Sequence, residues 1–308
     1  MKCINHALVE NKRNGGNNVN QERPSYRARL LISCHDRAGI VASVSSFLHE
    51  HGANIVQSDQ YSTDPEGGRF FMRIEFDIKG LPEVFDKVKE DFQSVASEYE
   101  MDWRMEREER LKRMAIFVSK EDHCLLEILW QWRSKEIHAE IPLVISNHPD
   151  LKEIVESYGI PFYHIPVSKE TKASAEQKQT ELLKAHKIDV IVLARYMQIL
   201  SPTFVETFEK QIINIHHSFL PAFIGANPYA KAFQRGVKLI GATAHYVTDD
   251  LDEGPIIEQD VFRVNHRFTT EQLRVVGKNV EREVLARAVK WHIDDKIIVY
   301  GNKTVVFS

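Results

Sequence analysis

One stretch decides the fold of the larger part of this chain: MAIFVSKEDHCLLEILWQW, residues 114–132. Its first five residues are apolar and strand-like, and apolar residues from 125 to 132 then recur at helical spacing. The same alternation predicts strands at 141–146, 162–165, 189–193 and 212–214, with helices at 151–158 and 173–186. Repeated strand-helix units indicate a doubly wound, mainly parallel α/β sheet, whose ligands bind beyond the carboxyl ends of the strands.

The residues before this sheet predict a second, smaller domain. Strand patterns at 27–33, 54–61, 69–78 and 102–107 are interrupted by helical patterns that end near 52 and span 83–99. The order βαββαβ is ferredoxin-like. Residues 105–113 are dense in charge, so we expect the first domain at 26–108 and the second at 109–308. The Asn-rich residues 1–25 are expected to form a disordered tail, because they lack the apolar run of a secretory signal.

The bulk composition limits the partners and the compartment. A net charge of −4 and a pI near 6.4 show no basic excess, so nucleic acid is not an expected ligand. Cys3, Cys34 and Cys124 are odd in number and far apart, which gives no disulfide framework and favours the cytoplasm. No apolar run approaches the roughly 20 residues of a membrane helix, so no membrane contact is expected.

Polar side chains stand at the end of the strand that leads to residue 214. Asn214 and His216 are two residues apart, so in a strand they point to the same face, and Asp252 follows a later strand that contains His245. An amide and a protonated imidazole can donate to a developing oxyanion. A carboxylate can hold the imidazolium and position or deprotonate a water, most effectively if burial raises the pKa of Asp252. The three side chains predict formyl or acyl chemistry.

Two other kinds of site are disfavoured. Loop 119–124 contains no glycine and places two carboxylates at the start of the predicted helix, where they would repel a phosphate. The imidazoles of His216, His217 and His245 are potential zinc ligands, but adjacent residues of a strand point to opposite faces, so no metal is expected. We expect His217 to be a spectator, and His245, which lies on a strand, to be a buried structural residue.

The ordered motifs Asn214-Ile215-His216, Ser218-Phe219-Leu220-Pro221 and Asp252-Glu253-Gly254-Pro255 resemble the folate-dependent formyltransferase family. Within it the chain is similar to the formyltetrahydrofolate deformylases, because loop 119–124 lacks the glycine- and serine-rich phosphate loop of the glycinamide ribonucleotide transformylases. The resemblance implies that Asn214, His216 and Asp252 are catalytic. It also implies a folate pocket lined by Arg195, Tyr196, Met197, Leu200, Val247 and Thr248.

The implied reaction is hydrolysis of 10-formyltetrahydrofolate to formate and tetrahydrofolate, without a cofactor. Such a reaction would supply formate for purine synthesis and balance the one-carbon folate pools. Two alternatives stay open on the sequence: a transferase that delivers formyl to an amine, and a non-catalytic sensor with an inactive folate pocket. Two narrower alternatives also stay open, a surface position for Arg195 and a plain core role for Met197, Ile199 and Leu200.

The first domain resembles ACT domains, through Asp36-Arg37-Ala38-Gly39-Ile40-Val41 and the turn at 51–55. The resemblance implies an amino-acid effector, such as glycine or methionine, bound by Asp36, Gly39, Ile40 and Asn54. It also implies a homo-oligomer, either a dimer or a tetramer. The alternative is that Gly39 and Gly52 are only turn residues and helix stops.

Overall fold

The computed structural model describes residues 26–64, 67–221 and 228–308. The predicted disordered tail at 1–25 lies outside the described residues. Within the described residues no helix is both long enough and apolar enough to cross a bilayer.

The N-terminal domain has the predicted βαββαβ order. Its elements are β1 (Arg27–His35), α1 (Ile40–Glu50), β2 (Asn54–Ser62), β3 (Arg69–Asp77), α2 (Leu81–Glu98) and β4 (Asp102–Arg107). The strands form one antiparallel sheet in the order β2-β3-β1-β4. The core of the domain joins alternate strand residues such as Leu30 and Ile32 to helix residues such as Val44 and Phe92, all fully buried.

The C-terminal domain contains the predicted sheet and extends it. Its elements are β5 (Lys112–Val118), α3 (His123–Arg133), β6 (Ala139–Ser146), α4 (Lys152–Ser157), β7 (Phe162–His164), α5 (Lys172–Ala185), β8 (Val190–Ala194), α6 (Pro202–Thr207), β9 (Ile212–His216), α7 (Pro228–Arg235), β10 (Leu239–Tyr246), β11 (Ile256–Arg263), α8 (Thr270–Ile293), β12 (Ile297–Tyr300) and β13 (Lys303–Val306). The seven-stranded sheet has the order β11-β10-β9-β8-β5-β6-β7.

Five neighbouring strands of this sheet are parallel, and β10 and β11 are antiparallel additions at one edge. The sheet is built outwards from β5 in both directions, so it is doubly wound as predicted. In such a sheet the carboxyl ends of the parallel strands meet at one edge, where ligands bind. The ends of β8 and β9 therefore lie side by side.

Helix α8 connects the sheet to the N-terminal domain. It begins with a capping box, in which Thr269 and Gln272 satisfy each other's backbone amides. One face packs against β10, β11 and α3 and buries Val284, Leu285 and Val289 in the main core. Hairpin β12-β13 follows and covers the outer face of the N-terminal sheet, where Ile298 and Phe307 pack against Leu31 and Phe71.

Buried charges join the two domains. The fully buried Arg73 of β3 donates from Nε to the carbonyl of Asp295 at 2.7 Å and from a terminal nitrogen to that of Asp294 at 3.0 Å. Lys112 Nζ lies 2.6 Å from Asp295 Oδ1. Arg29 and Arg104 approach the same carboxylate at 3.8 and 3.6 Å. We call Arg29, Arg73, Arg104, Lys112 and Asp295 the junction cluster.

Candidate active site

The structure brings all the predicted catalytic and folate-binding residues into one cleft at the ends of β8, β9 and β10. The cleft has a volume of about 400 Å³. Its lining includes Arg195, Tyr196, Met197, Leu200, Asn214, His216, Val247, Thr248 and Asp252. Since these residues come from three separate parts of the sequence, their meeting is a property of the sheet.

The amide of Asn214 is oriented by a histidine on the neighbouring strand. Asn214 of β9 lies opposite His245 of β10, and its Nδ2 donates to His245 Nε2 at 3.2 Å. His245 Nδ1 in turn donates to the carbonyl of Tyr246 at 2.9 Å, which leaves Nε2 as the acceptor. The second N–H of Asn214 is then available to a ligand. His245 is buried as expected, but it also orients a predicted catalytic residue.

Asp252 holds His216. It lies in the turn after β10 with a left-handed φ of 60°, and its Oδ2 is 3.2 Å from His216 Nδ1. His216 is buried, and its Nε2 has no hydrogen-bond partner among the described residues. The histidine is therefore anchored through Nδ1, while its Nε2 is buried in the wall of the cleft without a partner among the described residues.

The pKa of Asp252 differs from the expectation. The hydrogen bond from His216, with a smaller contribution from His245, holds the pKa of this carboxyl well below its ordinary value, and the opposing effect of burial is weaker. The expectation of a raised pKa was wrong, because it considered burial without the two imidazoles. An acid of this kind is a poor proton acceptor, so Asp252 is suited to holding His216 in place.

His217 does not point away from the cleft. The rings of His216 and His217 stack with centroids 5.0 Å apart and an interplanar angle of 24°, and both residues line the cleft. The expectation of opposite faces was wrong because β9 ends at His216, and the alternation of a strand ends with it. The absence of a metal from this chemistry stays a prediction.

Arg195 supports His217. It follows β8 with a left-handed φ of 62°, and its side chain is 15% exposed, so the alternative of a surface arginine is wrong. Its terminal nitrogen lies 2.7 Å from His217 Nδ1, and its Nε lies 3.4 Å from Glu281 Oε2 of α8. The sequence analysis missed Glu281, whose place in a helix pattern gives no sign of this contact.

The side of the cleft that is predicted to bind folate carries apolar side chains that are exposed and not packed into the core. Met197 and Ile199 are 57% and 63% exposed, so the alternative of plain core is wrong for both. Leu251, on the other side of the cleft, is 59% exposed. Exposed apolar residues grouped around a cleft are typical of a ligand site.

Loop 119–124 is hydrogen-bonded to a segment that lines the cleft. Ser119 Oγ accepts from the backbone amide of Met197 at 3.1 Å and donates to Asn147 Oδ1 at 2.6 Å. Glu121 pairs with Lys278 of α8 at 2.5 Å. The loop therefore links β5 to the segment after β8 and to α8.

The predicted effector residues do not meet within one chain. Asp36, Gly39 and Ile40 follow the end of β1, which pairs with Arg69 of β3. Asn54 pairs with Asp77 at the other end of β3. Eight residues of strand separate these ends, roughly 26 Å. Ile40 is also buried in the core of the domain.

Comparison with known proteins agrees with both domains. The formyl transferase family matches residues 112–289, and the ACT domain family matches residues 28–93. A formyltetrahydrofolate deformylase of Bacillus subtilis (strain 168) is 59% identical over 282 residues, which cover 92% of this chain and 94% of that protein.

Solved structures give the same result. A formyltetrahydrofolate deformylase from Pseudomonas syringae pv. tomato has a TM-score of 0.89 at 48% identity, covering 94% of this chain and 97% of that one. One from Burkholderia mallei has a TM-score of 0.87 at 42% identity, covering 92% and 100%. Since the similarity extends over both domains, the chain belongs to the formyltetrahydrofolate deformylase family.

Proposed function

We propose that this chain hydrolyses 10-formyltetrahydrofolate to formate and tetrahydrofolate in the cleft at the ends of β8, β9 and β10. The observation that carries the proposal is the pairing of His216 with Asp252 beside Asn214 in the lining of one cleft, with Nε2 of His216 left without a partner among the described residues. Family membership over the full length supports it. The apolar rim that includes Met197 and Ile199 suits a flat pterin ring.

The proposed first step is attack of water on the formyl carbon. The new C–O bond forms while the proton of the water passes to His216 Nε2, and the carbonyl oxygen becomes an oxyanion. The free N–H of Asn214 donates to that oxyanion. Asp252 stays ionised and stabilises the imidazolium through His216 Nδ1.

The second step breaks the bond between the formyl carbon and N10. His216 Nε2–H returns its proton to N10 as the C–N bond breaks, so that the leaving group departs as a neutral amine. Formic acid then ionises to formate. This assignment moves the proton-accepting role from Asp252, where the sequence had placed it, to His216, because the carboxyl has a lowered pKa. The two steps use only side chains and water, and we propose that no cofactor takes part.

The alternative of a formyl transferase is less well supported. The relatives that match this chain over more than 90% of its length are named as deformylases, and the two-domain similarity extends to their solved structures.

Formate release is the direct test. Purified protein is mixed with 10-formyltetrahydrofolate without an amine acceptor, after dialysis against a chelator, and formate and tetrahydrofolate are both measured. We expect equal amounts of the two products. Release at the background rate, with or without glycine or methionine, would exclude a hydrolase. Folate binding without turnover would favour the sensor, and turnover that needs an added amine would favour the transferase.

The N-terminal domain is proposed to bind an amino-acid effector and to pair with a second copy. β2 is an edge strand whose residues are nearly all exposed, among them Ile55, Val56 and Tyr61. An exposed edge with apolar side chains is a template for pairing with another strand. Because Asp36 and Asn54 lie at opposite ends of one sheet, an effector that contacts both would need two chains. Sedimentation with and without glycine or methionine measures both properties.

We propose the cytoplasm as the compartment of this reaction. Cys34 and Cys124 are buried free thiols, a state that a reducing compartment maintains. Separating the soluble fraction of the source cells and measuring formate release in it would test the assignment.

A further inference from the structure

A second cavity of about 300 Å³ adjoins the catalytic cleft. The two spaces share Arg195, Met197 and His217 as a common wall. The proposed hydrolysis does not use Arg195 or His217, although both are held by specific contacts. This wall is therefore the part of the cleft whose role is unexplained.

The bond between Arg195 and His217 fixes the protonation of the histidine. A guanidinium can only donate, so His217 Nδ1, 2.7 Å from Arg195, must accept. The ring then carries its one proton on Nε2. In agreement, desolvation and the positive charge of Arg195 lower the pKa of His217 to about 4. At neutral pH His217 is thus a neutral imidazole with an Nε2–H donor.

Glu281 fixes Arg195 in turn. It is 1% exposed in the middle of α8, and its oxygens accept from Tyr229 Oη at 2.7 Å and His123 Nε2 at 2.8 Å. Burial alone would raise the pKa of Glu281, but the bond from His123 and the charge of Arg195 keep it below its ordinary value. The guanidinium of Arg195 is thus paired with the buried anion of Glu281.

Helix α8 is shaped for this contact. A Cβ on Gly277, one turn before Glu281, would lie 2.0 Å from Tyr229 Oη. A glycine inside a helix is less favourable than an alanine, and here it allows Tyr229 to reach Glu281. The left-handed φ of Arg195 is a second unfavourable backbone feature next to Glu281. The helical glycine and the left-handed arginine are each locally unfavourable, and both allow the contacts around Glu281. The conformation of this site is therefore constrained.

His123, Cys124 and Glu281 could together hold a metal ion, since their ligand atoms lie within 4.8 Å of one another. The surrounding charge argues against it. Arg195 is 3.4 Å from the Glu281 oxygen that a metal would need, and burial raises the pKa of the Cys124 thiol well above its ordinary value. The cluster is better explained as the anchor of Arg195.

The need for a further donor follows from the proposed mechanism. Oxyanions of acyl transfer are commonly held by two donors, and Asn214 has one N–H left after its bond to His245. His216 cannot be the second donor, because its Nε2 accepts the proton of the water in the proposed first step. His217 lines the same cleft with its ring stacked on that of His216, and no hydrogen bond occupies its Nε2 among the described residues.

Resting on the proposed hydrolysis, we propose that His217 is a catalytic residue that donates from Nε2–H to the formyl oxyanion together with Asn214, with Arg195 and Glu281 as the positioning residues that fix its tautomer. A neutral imidazole is suited to this role because it donates without adding a second positive ring beside His216.

The tautomer is tested first, because it does not depend on activity. In ¹⁵N-histidine-labelled protein at pH 7, with the His217 signals assigned by their loss in His217→Gln, we expect the proton on Nε2. Arg195→Met should give a mixture of tautomers, and Glu281→Gln should shift in the same direction. A wild-type His217 that is doubly protonated, or that carries its proton on Nδ1, would overturn the proposal.

Kinetics then test the donor. We expect His217→Ala to lower kcat about 10²-fold to 10³-fold with little change in KM for the folate, as for removal of one oxyanion donor. His217→Gln, which retains an N–H, should recover about tenfold or more of that loss. Glu281→Gln should lower kcat about tenfold at unchanged KM and unchanged fold, since it acts through Arg195.

His266→Ala is the matched control, since His266 is an exposed histidine of the same domain. It should leave kcat and KM unchanged. A wild-type protein that releases no formate would remove the proposed function, while the tautomer measurement would still stand. An active wild type together with a His217→Ala kcat within about threefold of it would remove only the role of His217.

Discussion

Two aspartates in this molecule share a backbone conformation and a lowered pKa but have different partners, and Asp295 is buried whereas Asp252 is half-buried. Asp252 at the catalytic cleft and Asp295 in the junction cluster both have a left-handed backbone, with φ of 60° and 52°. Both have a lowered pKa. Asp252 is held by Nδ1 of His216, with Nε2 of His245 3.6 Å away, whereas Asp295 is held chiefly by the charge of Lys112 and of Arg104, which overcomes the effect of burial.

The difference shows how one residue type serves two purposes. Arginine and lysine keep their charge at every pH near neutrality, so the charges around Asp295 stay in place and join the two domains. A histidine ring nitrogen can both accept and donate a proton, so His216, the nearer partner of Asp252, can pass a proton to and from a substrate. The same substitution at the two positions should therefore have different effects.

Asp252→Asn is expected to give the largest effect. The amide keeps the size of the carboxylate but not its charge, so it no longer stabilises the imidazolium of His216. We expect kcat to fall about 10⁴-fold, as when the orienting aspartate of a catalytic histidine is replaced by asparagine, while folate still binds. Single-turnover formate release and fluorescence titration with the folate measure the two quantities. A kcat within tenfold of the wild type would contradict the assignment.

Asp295→Asn should instead lower stability. It leaves Lys112 and two arginines without their shared anion in a buried place, and breaking such a pair costs about 3–5 kcal/mol. Urea unfolding gives the free energy, and kcat per folded molecule should stay near the wild-type value. The exposed Asp150→Asn is the control. If Asp295→Asn abolished turnover in a folded protein, the two aspartates would not have separate purposes.

His292→Asn tests the junction by pH, with the smallest effect. Desolvation, with a smaller contribution from Lys112 and Arg104, lowers the pKa of His292 to about 3. Between its ordinary pKa near 6.5 and this value the unfolded chain binds a proton that the folded chain does not, so the folded state loses stability as pH falls. We expect Tm to fall less steeply from pH 7 to 4 in the variant. An unchanged slope would show that His292 does not contribute.

Much of the fold could be predicted from local patterns of apolar residues in the sequence. The strands β5, β6, β8 and β9 each contain a run of buried apolar residues, which identified them in the sequence. Strand β11 and helix α6 were missed because each is short or half exposed and carries little periodicity. The charged residues 105–113, which could have formed a helix, instead finish β4, make a turn and begin β5.

The candidate catalytic residues could be named from the order of the sequence motifs. Their protonation and their partners could not be predicted in this way. Asn214, His216 and Asp252 were named from the sequence, but the lowered pKa of Asp252 depends on two imidazoles, one of them from another strand. His217 was set aside as a spectator, and the rule that placed it on the opposite face from His216 applies only as far as the end of β9. Glu281 and Arg195 meet only because α8 crosses behind the end of β8.

The sequence by itself determined the two domains, the parallel sheet and the residue types available for formyl chemistry, because strand and helix periods and turn residues are local properties of the chain. Only the tertiary structure decided which side chains share a proton, which nitrogen of each histidine is free, and which aspartate joins domains. Those outcomes depend on distances of a few ångströms between residues far apart in sequence, and on the burial that makes such contacts strong.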